Sequence, residues 1–263
     1  MNENQEILLS VVIITYNEEK NIQRCLESIS TIADDITIVD SISTDRTVEI
    51  CKAFGAHIHE QAFLGHIEQK NFAITKAKYP HILSLDADEA LDEQLIASIK
   101  DLKKNWAHDG YVMNRLTNYC GQWIYHCGWY PDKKLRLWDS RKGQWEGINP
   151  HDQFTLKPGA QEKYIKGNIL HYSYNNINDH VKQVNYFTDI SAKSNLQKGK
   201  RSHLLKILIS PVIKFFRDYI LKLGFLDGYY GFVICMISSH ATFLKYVKMM
   251  QFQNSDTSDA YSS

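Results

Sequence analysis

Residues 7–30 read ILLSVVIITYNEEKNIQRCLESIS. The segment Ile7–Tyr16 is apolar and rich in β-branched residues, the composition of a strand buried on both faces, and its apolar run is too short to span a bilayer. A polar stretch, Thr15-Tyr16-Asn17-Glu18-Glu19, closes it. Over Glu18–Ser30 the apolar residues Ile22, Cys25, Leu26 and Ile29 then recur on one helical face. The same alternation continues along the chain. Asp35–Asp40 reads as a strand and Asp45–Phe54 as a helix. His57–Gln61 is a short strand, His66–Lys78 a helix, His81–Asp86 a strand, and Glu93–Trp106 a helix whose Leu95, Ile99, Leu102 and Trp106 share a face. Strands separated by helices of this length need crossover connections. The pattern therefore predicts an α/β domain with a mostly parallel, Rossmann-like central sheet covered on both sides.

From Gly110 to about Tyr174 the pattern changes to short strands and loops dense in aromatics, and after Asn175 it becomes helical. No internal repeat is visible. The expected division is an α/β domain over 1–175, a helical region over 176–252 and a frayed Ser/Asp-rich tail over 253–263. Between His203 and Lys222 the polar residues His203, Lys206, Ser210, Lys214, Arg217, Asp218 and Lys222 form a narrow stripe on an otherwise apolar helix, which Pro211 is expected to kink or divide. From Leu196 to Phe252 there are nine Lys and Arg against two acids, a net of 9 − 2 = +7, so the rest of this electroneutral chain carries −7. A wide apolar surface edged with lysine suits an interfacial helix among anionic headgroups, with packing on the catalytic domain or a second subunit as the alternative. Asp227 and His240 interrupt the longest apolar window and argue against a true span.

The chain has 263 residues, 44% of them hydrophobic and 23% charged, values of an ordinary folded protein. Zero net charge argues against a generic nucleic-acid binder. Cys25, Cys51, Cys120, Cys127 and Cys235 are odd in number and form no CxxC pair, as expected of reduced thiols in the cytoplasm. Met1–Glu6 is polar and acidic, unlike the start of a signal peptide.

In an open parallel sheet, ligands bind outside the carboxyl ends of the strands. Those ends carry Thr15–Glu19, Asp40-Ser41-Ile42-Ser43-Thr44-Asp45, and Asp86-Ala87-Asp88-Glu89. None has the GxGxxG glycines of a dinucleotide fold, which counts against an NAD or FAD enzyme. Asp86-Ala87-Asp88 carries the most chemistry. Alternation in an extended segment would put both carboxylates on one side, where hard oxygen ligands suit Mg2+ or Mn2+. A solvated turn leading into the next helix is the competing reading.

Taken in order, Val11–Glu19 (VVIITYNEE), Ile38–Thr47 (IVDSISTDRT), Gln69–Asn71 (QKN) and Leu83–Glu89 (LSLDADE) resemble family-two glycosyltransferases of the GT-A fold. Gly128–Trp138 (GWYPDKKLRLW), His151-Asp152, Leu170–Tyr174 (LHYSY) and Gly224–Gly231 (GFLDGYYG) narrow the resemblance to a bacterial subgroup that includes lipopolysaccharide-core β-glycosyltransferases. It implies an inverting enzyme using a nucleotide-sugar donor, a divalent ion, and a lipid-linked or lipopolysaccharide-core acceptor at the inner face of the cytoplasmic membrane. Thr15, Tyr16, Asn17 and Glu18 would line the base-and-ribose pocket, with Asp40 accepting hydrogen bonds from the base and Ser43 and Asp45 beside it. Asp86 and Ala87 would adjoin the donor, Asp88 would bind the metal with Asp86 at or near it, and Lys70 would approach the diphosphate. Arg136 would act on the diphosphate and Trp138 would stack on a sugar, with a buried core tryptophan as the alternative.

An inverting transfer needs a carboxylate to take the acceptor's proton. Asp152 is the candidate base, one methylene shorter than the Glu that relatives carry after the His, and Glu146 is the competitor. His171 is a further metal contact to weigh, but a lone His on a strand is more often a core residue, and it is left out of the metal set. Two other functions stay in view. A haloacid-dehalogenase-like phosphohydrolase also uses DxD, but at its first strand and followed by Thr. A nucleotide-binding scaffold without catalysis is disfavoured by the intact Asp86, Asp88 and Asp152. Donor sugar, acceptor and oligomeric state are not readable from the sequence.

Overall fold

The computed structural model describes residues 6–148 and 151–260. Four strands, β1 (Leu9–Thr15), β2 (Asp35–Asp40), β3 (His57–Glu60) and β4 (His81–Asp86), lie parallel in the order β3-β2-β1-β4. Helices α1 (Ile22–Ile29), α2 (Thr47–Ala53) and α3 (His66–Lys76) connect them. The chain steps outward from β1 to β3 and then returns to the other side of β1, so the strand order reverses between β1 and β4.

β1 shows why its sequence is continuously apolar. Leu9, Val11 and Ile13 enter one core layer with α1 residues Ile22, Cys25, Leu26 and Ile29, while Val12 enters the opposite layer with Val39, Ile82 and Ala73. Successive residues of a strand face opposite sides, and both sides here are covered.

After β4 come β5 (Glu89–Leu91), α4 (Glu93–Lys104), β6 (Gly110–Tyr119), β7 (Gln122–Ile124), β8 (Asp132–Asp139), β9 (Gly143–Ile148), β10 (His151–Leu156) and β11 (Glu162–Tyr174). They extend the sheet as β4-β8-β6-β11-β5, with β8 antiparallel to β4 and to β6, and β5 antiparallel to β11. β9 and β10 form a separate antiparallel ribbon. The α/β class read from the sequence is the one observed. Where short strands were expected, β6 and β11 run for 10 and 13 residues.

The chain divides into two compact units, one of Met1–Leu116 with Asp132–Tyr172 and one of Thr117–Pro131 with Ser173–Ser263. The second unit thus takes in more than the helical region expected from 176 onward. Its added segment supplies Tyr119, Ile124 and Cys127 to a core shared with Ile234 and Cys235. This unit holds α5 (Ile177–Gln197), α6 (Leu204–Phe216) and α7 (Gly228–Ala260). Pro211 does not divide α6. Packing along α7, with Ser239 Oγ donating to the Pro211 carbonyl at 2.7 Å, keeps the rod continuous. The break falls instead at Leu223, which is left-handed at φ 55°, and the helices on either side are bent by 73°. Asp227 stabilises the 125–127 turn by accepting the His126 amide at 2.7 Å and the Tyr125 amide at 3.2 Å. α7 continues through most of the span expected as a tail, and Tyr261–Ser263 lie outside the described residues.

The start of α4 is fixed by Asp92, whose Oδ1 accepts the Leu95 amide at 2.7 Å and whose Oδ2 accepts the Asn168 amide at 2.9 Å. Gly167, at φ 105°, lies so close that a Cβ there would fall on the Leu95 backbone. Gly159 has φ 87° but open space around it. Gly167→Ala should therefore lower unfolding stability by about 3 kcal/mol or more, from strain plus a backbone clash, and Gly159→Ala by only about 1 kcal/mol from strain alone. Urea unfolding of the two variants side by side checks this, and equal losses would contradict it.

Candidate active site

The reversal between β1 and β4 opens a crevice at the carboxyl ends of these strands. Register sets the ends level, with Ile14 opposite Asp86 and Thr15 opposite Asp40. The loops leaving β1 and β2 are stitched together. Asp40, 1% exposed, accepts the Ser43 amide at 2.7 Å and the Ser43 hydroxyl at 2.5 Å. Ser43 Oγ accepts the Asn17 amide at 2.9 Å, and Asn17 Oδ1 accepts the Thr44 amide at 2.8 Å. Thr47 Oγ1 accepts the Glu18 amide, and Asp45 accepts the Glu19 amide and the Thr47 hydroxyl. Asn17 is held at φ 54° and Ile42 at φ 66°. Asn17, Asp40, Ser43 and Asp45 thus build the loop walls, whereas Tyr16, 59% exposed, presents its ring outward. Thr15 Oγ1 is buried at the strand end with no hydrogen-bond partner among the described residues.

Asp86 ends β4, and Ala87-Asp88 form a turn into β5. The extended alternation expected of Asp86-Ala87-Asp88 is therefore replaced by a turn, and the two carboxylates have different partners. Asp86 Oδ1 lies 3.1 Å from Lys70 Nζ and Oδ2 lies 2.9 Å from Arg136 Nη2. Burial opposes the charge on Asp86, but Lys70 and Arg136 outweigh it and hold the carboxyl well below the usual range. Lys70 also bridges to Asp152 at 2.8 Å, and Arg136 to the fully buried Glu89 carboxylate at 3.2 Å. Glu89 in turn accepts the Asp86 amide at 2.9 Å and faces Arg115 at 3.5 Å. Burial works against the charge of Arg136, yet Glu89 and Asp86 keep its guanidinium firmly protonated. Trp145 underlies both cations, with Lys70 Nζ 4.5 Å and Arg136 Cζ 5.6 Å from its ring centre.

The helix α3 fans three consecutive side chains in three directions, as a turn of about 100° per residue dictates. Gln69 Nε2 donates to Ser41 Oγ and to the Gln61 carbonyl, Lys70 reaches Asp86 and Asp152, and Asn71 exchanges two hydrogen bonds with the Trp145 backbone in β9.

Asp88 Oδ2 lies 3.2 Å from His171 Nε2, with both side chains partly exposed. β11 is antiparallel to β5 with His171 opposite Glu89, and the Tyr172 amide donates to the Asp88 carbonyl at 3.0 Å, which fixes this pair. Nearby, burial pushes the Glu18 carboxyl up. A hydrogen bond from Asn21 opposes the rise, and the charges of Asp88, Asp45 and Asp86 add to it. Among the described residues no three His, Cys, Asp or Glu side chains are gathered to hold a metal. One carboxylate and one imidazole are still a suitable partial donor set for a divalent ion whose remaining ligands are phosphate oxygens and water. Asp86 is less suited, because each of its oxygens already faces a cation.

Lys70, Asp86, Arg136 and Asp152 are brought together. Glu146 is not among them: it is exposed on β9 and accepts a hydrogen bond from Gln144. Trp138 requires a correction. It is fully buried and stacks on Phe154 at 3.8 Å within the core layer of Val12, Val39 and Ile82, so its indole has no face to offer a sugar. The strand pattern LRLW, in which Leu137 and Trp138 alike are apolar, already favoured burial on both faces. Glu89 and Trp145 were passed over in the sequence, and His171 was weighed as a metal contact and left out. Their partners lie far along the chain, 83 positions for His171 with Asp88, 47 and 26 for Glu89 with Arg136 and Arg115, and 75 for Trp145 with Lys70, and only the DADE run hinted at Glu89.

The sequence model of glycosyl transferase family 2 matches residues 10–164. An uncharacterized glycosyltransferase of Rickettsia bellii is 30% identical over 92% of this chain and 86% of its own. A lipopolysaccharide core biosynthesis glycosyltransferase, LpsC, of Rhizobium meliloti is 27% identical over 92% of each chain. Among solved structures, Staphylococcus aureus TarS in complex with UDP-GlcNAc is 21% identical with a TM-score of 0.37, covering 43% of this chain and 35% of that one.

The charge on Asp86 makes a pH test possible. Its folded pKa is depressed, so its contribution to stability is complete above the unfolded value of about 4 and is lost as pH falls through the folded value. Asp86→Asn should be less stable than wild type by about 2–3 kcal/mol at pH 7. The gap should hold down to about pH 4 and narrow only below it. A gap that closes between pH 7 and 5 in urea unfolding would contradict the assignment.

Proposed function

This chain belongs to glycosyltransferase family 2 and is a glycosyltransferase, and we propose that it is an inverting enzyme moving a sugar from a nucleoside-diphosphate carrier, uridine-linked, to a hydroxyl of a lipid-linked or lipopolysaccharide-core glycan. One observation carries the reading: at the β1/β4 crevice an Asp88–His171 donor pair stands beside an Asp152–Lys70–Asp86 ion relay. The acceptor class draws support from the lipopolysaccharide-core role in the name of the Rhizobium meliloti relative, which matches nearly end to end.

In this reading Tyr16, Asn17 and Glu18 border the nucleoside, and Thr15 offers an uncommitted hydroxyl. Asp88 and His171 would hold Mg2+ or Mn2+, which when bound neutralises charge on the departing diphosphate. Lys70 presents a buried ammonium to the same diphosphate, and Arg136, locked by Asp86 and Glu89, keeps the turn rigid. The acceptor hydroxyl oxygen attacks the anomeric carbon from the face opposite the leaving group. Its proton passes to Asp152, and the electrons of the broken C–O bond leave with the nucleoside diphosphate. The configuration at that carbon inverts.

Asp88→Asn and His171→Ala should each lower kcat by about 10²-fold or more, and chelation by EDTA should abolish wild-type transfer until Mn2+ is restored. Turnover that survives EDTA unchanged would remove the metal from the mechanism.

Asp152→Asn should reduce kcat by about 10²–10⁴-fold while donor affinity changes little, and Glu146→Gln should stay near wild type. Single-turnover assays alongside donor-induced thermal shifts separate the two, and the reverse pattern would move the base to Glu146.

A further inference from the structure

Among the described residues, 26 large apolar side chains are more than a third exposed, and 15 of these lie between Leu204 and Met236. They form an almost unbroken run along α6, the bend after it and the first turns of α7. Leu205, Leu208, Val212 and Phe216, each between 53% and 60% exposed, make one stripe at helical spacing. Only Ile207 and Pro211 of α6 are buried. A patch of this extent exceeds what scattered surface leucines produce and marks a face that meets something apolar.

The rim of the face is cationic. Lys200, Arg201 and Lys206 cluster before and at the start of α6, with Lys206 Nζ on the Arg201 carbonyl at 3.0 Å. At the other end the buried carboxylate of Asp218 gathers Lys214, Arg217 at 2.9 Å and Lys222 at 3.7 Å. Three cations on one carboxylate leave that edge at 3 − 1 = +2, and the three residues at the first edge add +3. A soluble protein partner would need a matching acidic rim around an apolar patch. An anionic bilayer presents that combination everywhere on its surface.

Geometry limits how deeply the face enters. No single described helix is long and apolar enough to cross a membrane, and α6 with its final turn pairs with α7 only across the 73° bend. The 13 residues of α6 extend about 20 Å, short of the ~30 Å hydrocarbon layer. We propose that the α6 face and the first turns of α7 dock in the headgroup region of an anionic phospholipid bilayer, with α6 in the membrane plane. Tyr229, 67% exposed, lies along the same stretch and is of a residue type that favours the water–lipid boundary. This inference stands without the catalytic reading. If the acceptor is lipid-linked, docking also brings the enzyme to it.

The test is flotation of the full chain, without donor or metal, with vesicles of phosphatidylcholine alone and of phosphatidylcholine with about one third phosphatidylglycerol. Binding to the anionic vesicles should be at least about tenfold tighter and should weaken with added salt. Leu208→Glu with Val212→Glu should weaken it at least about tenfold. Arg201→Glu with Lys206→Glu should abolish the preference for anionic lipid. Far-UV circular dichroism and thermal unfolding verify that these exposed substitutions leave the fold intact. Absence of wild-type binding, or undiminished binding of the folded Leu208→Glu, Val212→Glu protein, would overturn the proposal. So would a dimer in sedimentation equilibrium that the same pair dissociates while vesicles bind neither form, since the face would then belong to a second copy. Transfer to a soluble acceptor reports on the catalytic reading separately.

Discussion

A row of alternating charges, Asp152–Lys70–Asp86–Arg136–Glu89–Arg115–Asp132, is the constraint on which the crevice depends, with successive separations of 2.8, 3.1, 2.9, 3.2, 3.5 and 2.9 Å. Its members come from β10, α3, β4, β8, β5, β6 and β8. Its middle members Lys70, Arg136 and Glu89 have side chains no more than 5% exposed, and charges that far from water carry a large desolvation cost, offset only where each meets opposite charges in good geometry. Strict alternation meets that condition, since no member has a like charge as its neighbour in the row. The arrangement also ties the elements together. Displacing any one of them would leave a buried charge unmatched, so the ends of β4, β8 and β10 are held in a single geometry.

That rigidity accounts for why α3 carries the polar triplet Gln69-Lys70-Asn71 where it meets the strand ends. Gln69, Lys70 and Asn71 are each satisfied by a different element, and Gln69 and Lys70 are buried. An amphipathic helix that served only to cover the sheet would place apolar residues there. The triplet gives up apolar burial to position the β2 and β3 ends, the ion row and the β9 strand around one point. Trp145 completes the arrangement by lying beneath both cations, where an aromatic face adds attraction without a competing charge.

Much of this was open to a reader of the sequence, because the relevant signals are local. The period of β1 and α1, the strand–helix alternation to Trp106 and the polar strand ends are all carried by neighbouring residues, and Asp35–Asp40 and His81–Asp86 are strands within the bounds expected. What stayed hidden depends on pairing across the chain. Nothing beside His171 announces Asp88, since the contact exists only because β11 returns antiparallel to β5. Trp138 was misjudged against a local signal, the apolar Leu137 beside it, and only the partner that covers it, Phe154, lies 16 residues on in a different strand. Pro211 misled in the opposite direction. The local rule against proline in a helix was outweighed by packing along α7, and the bend moved to a left-handed residue that carried no glycine signal.

The charges at the crevice also bear on why the proposed chemistry needs a cation. Asp86 faces two cations, whereas Asp88 faces the His171 imidazole at 3.2 Å, and Glu18 and Asp45 add negative charge within electrostatic reach. A bare nucleoside diphosphate entering this space would meet carboxylates of its own sign. Lys70, already shared between Asp86 and Asp152, contributes one positive charge to three claimants. Asp88 and His171 would be the residues to hold a divalent ion, whose charge would turn that repulsion into attraction. Lys70 would then share the diphosphate with the ion while staying 2.8 Å from Asp152. In the proposed reading the metal and the base would be coupled through a single lysine, and the acidic strand ends that would repel the donor alone would favour its metal complex.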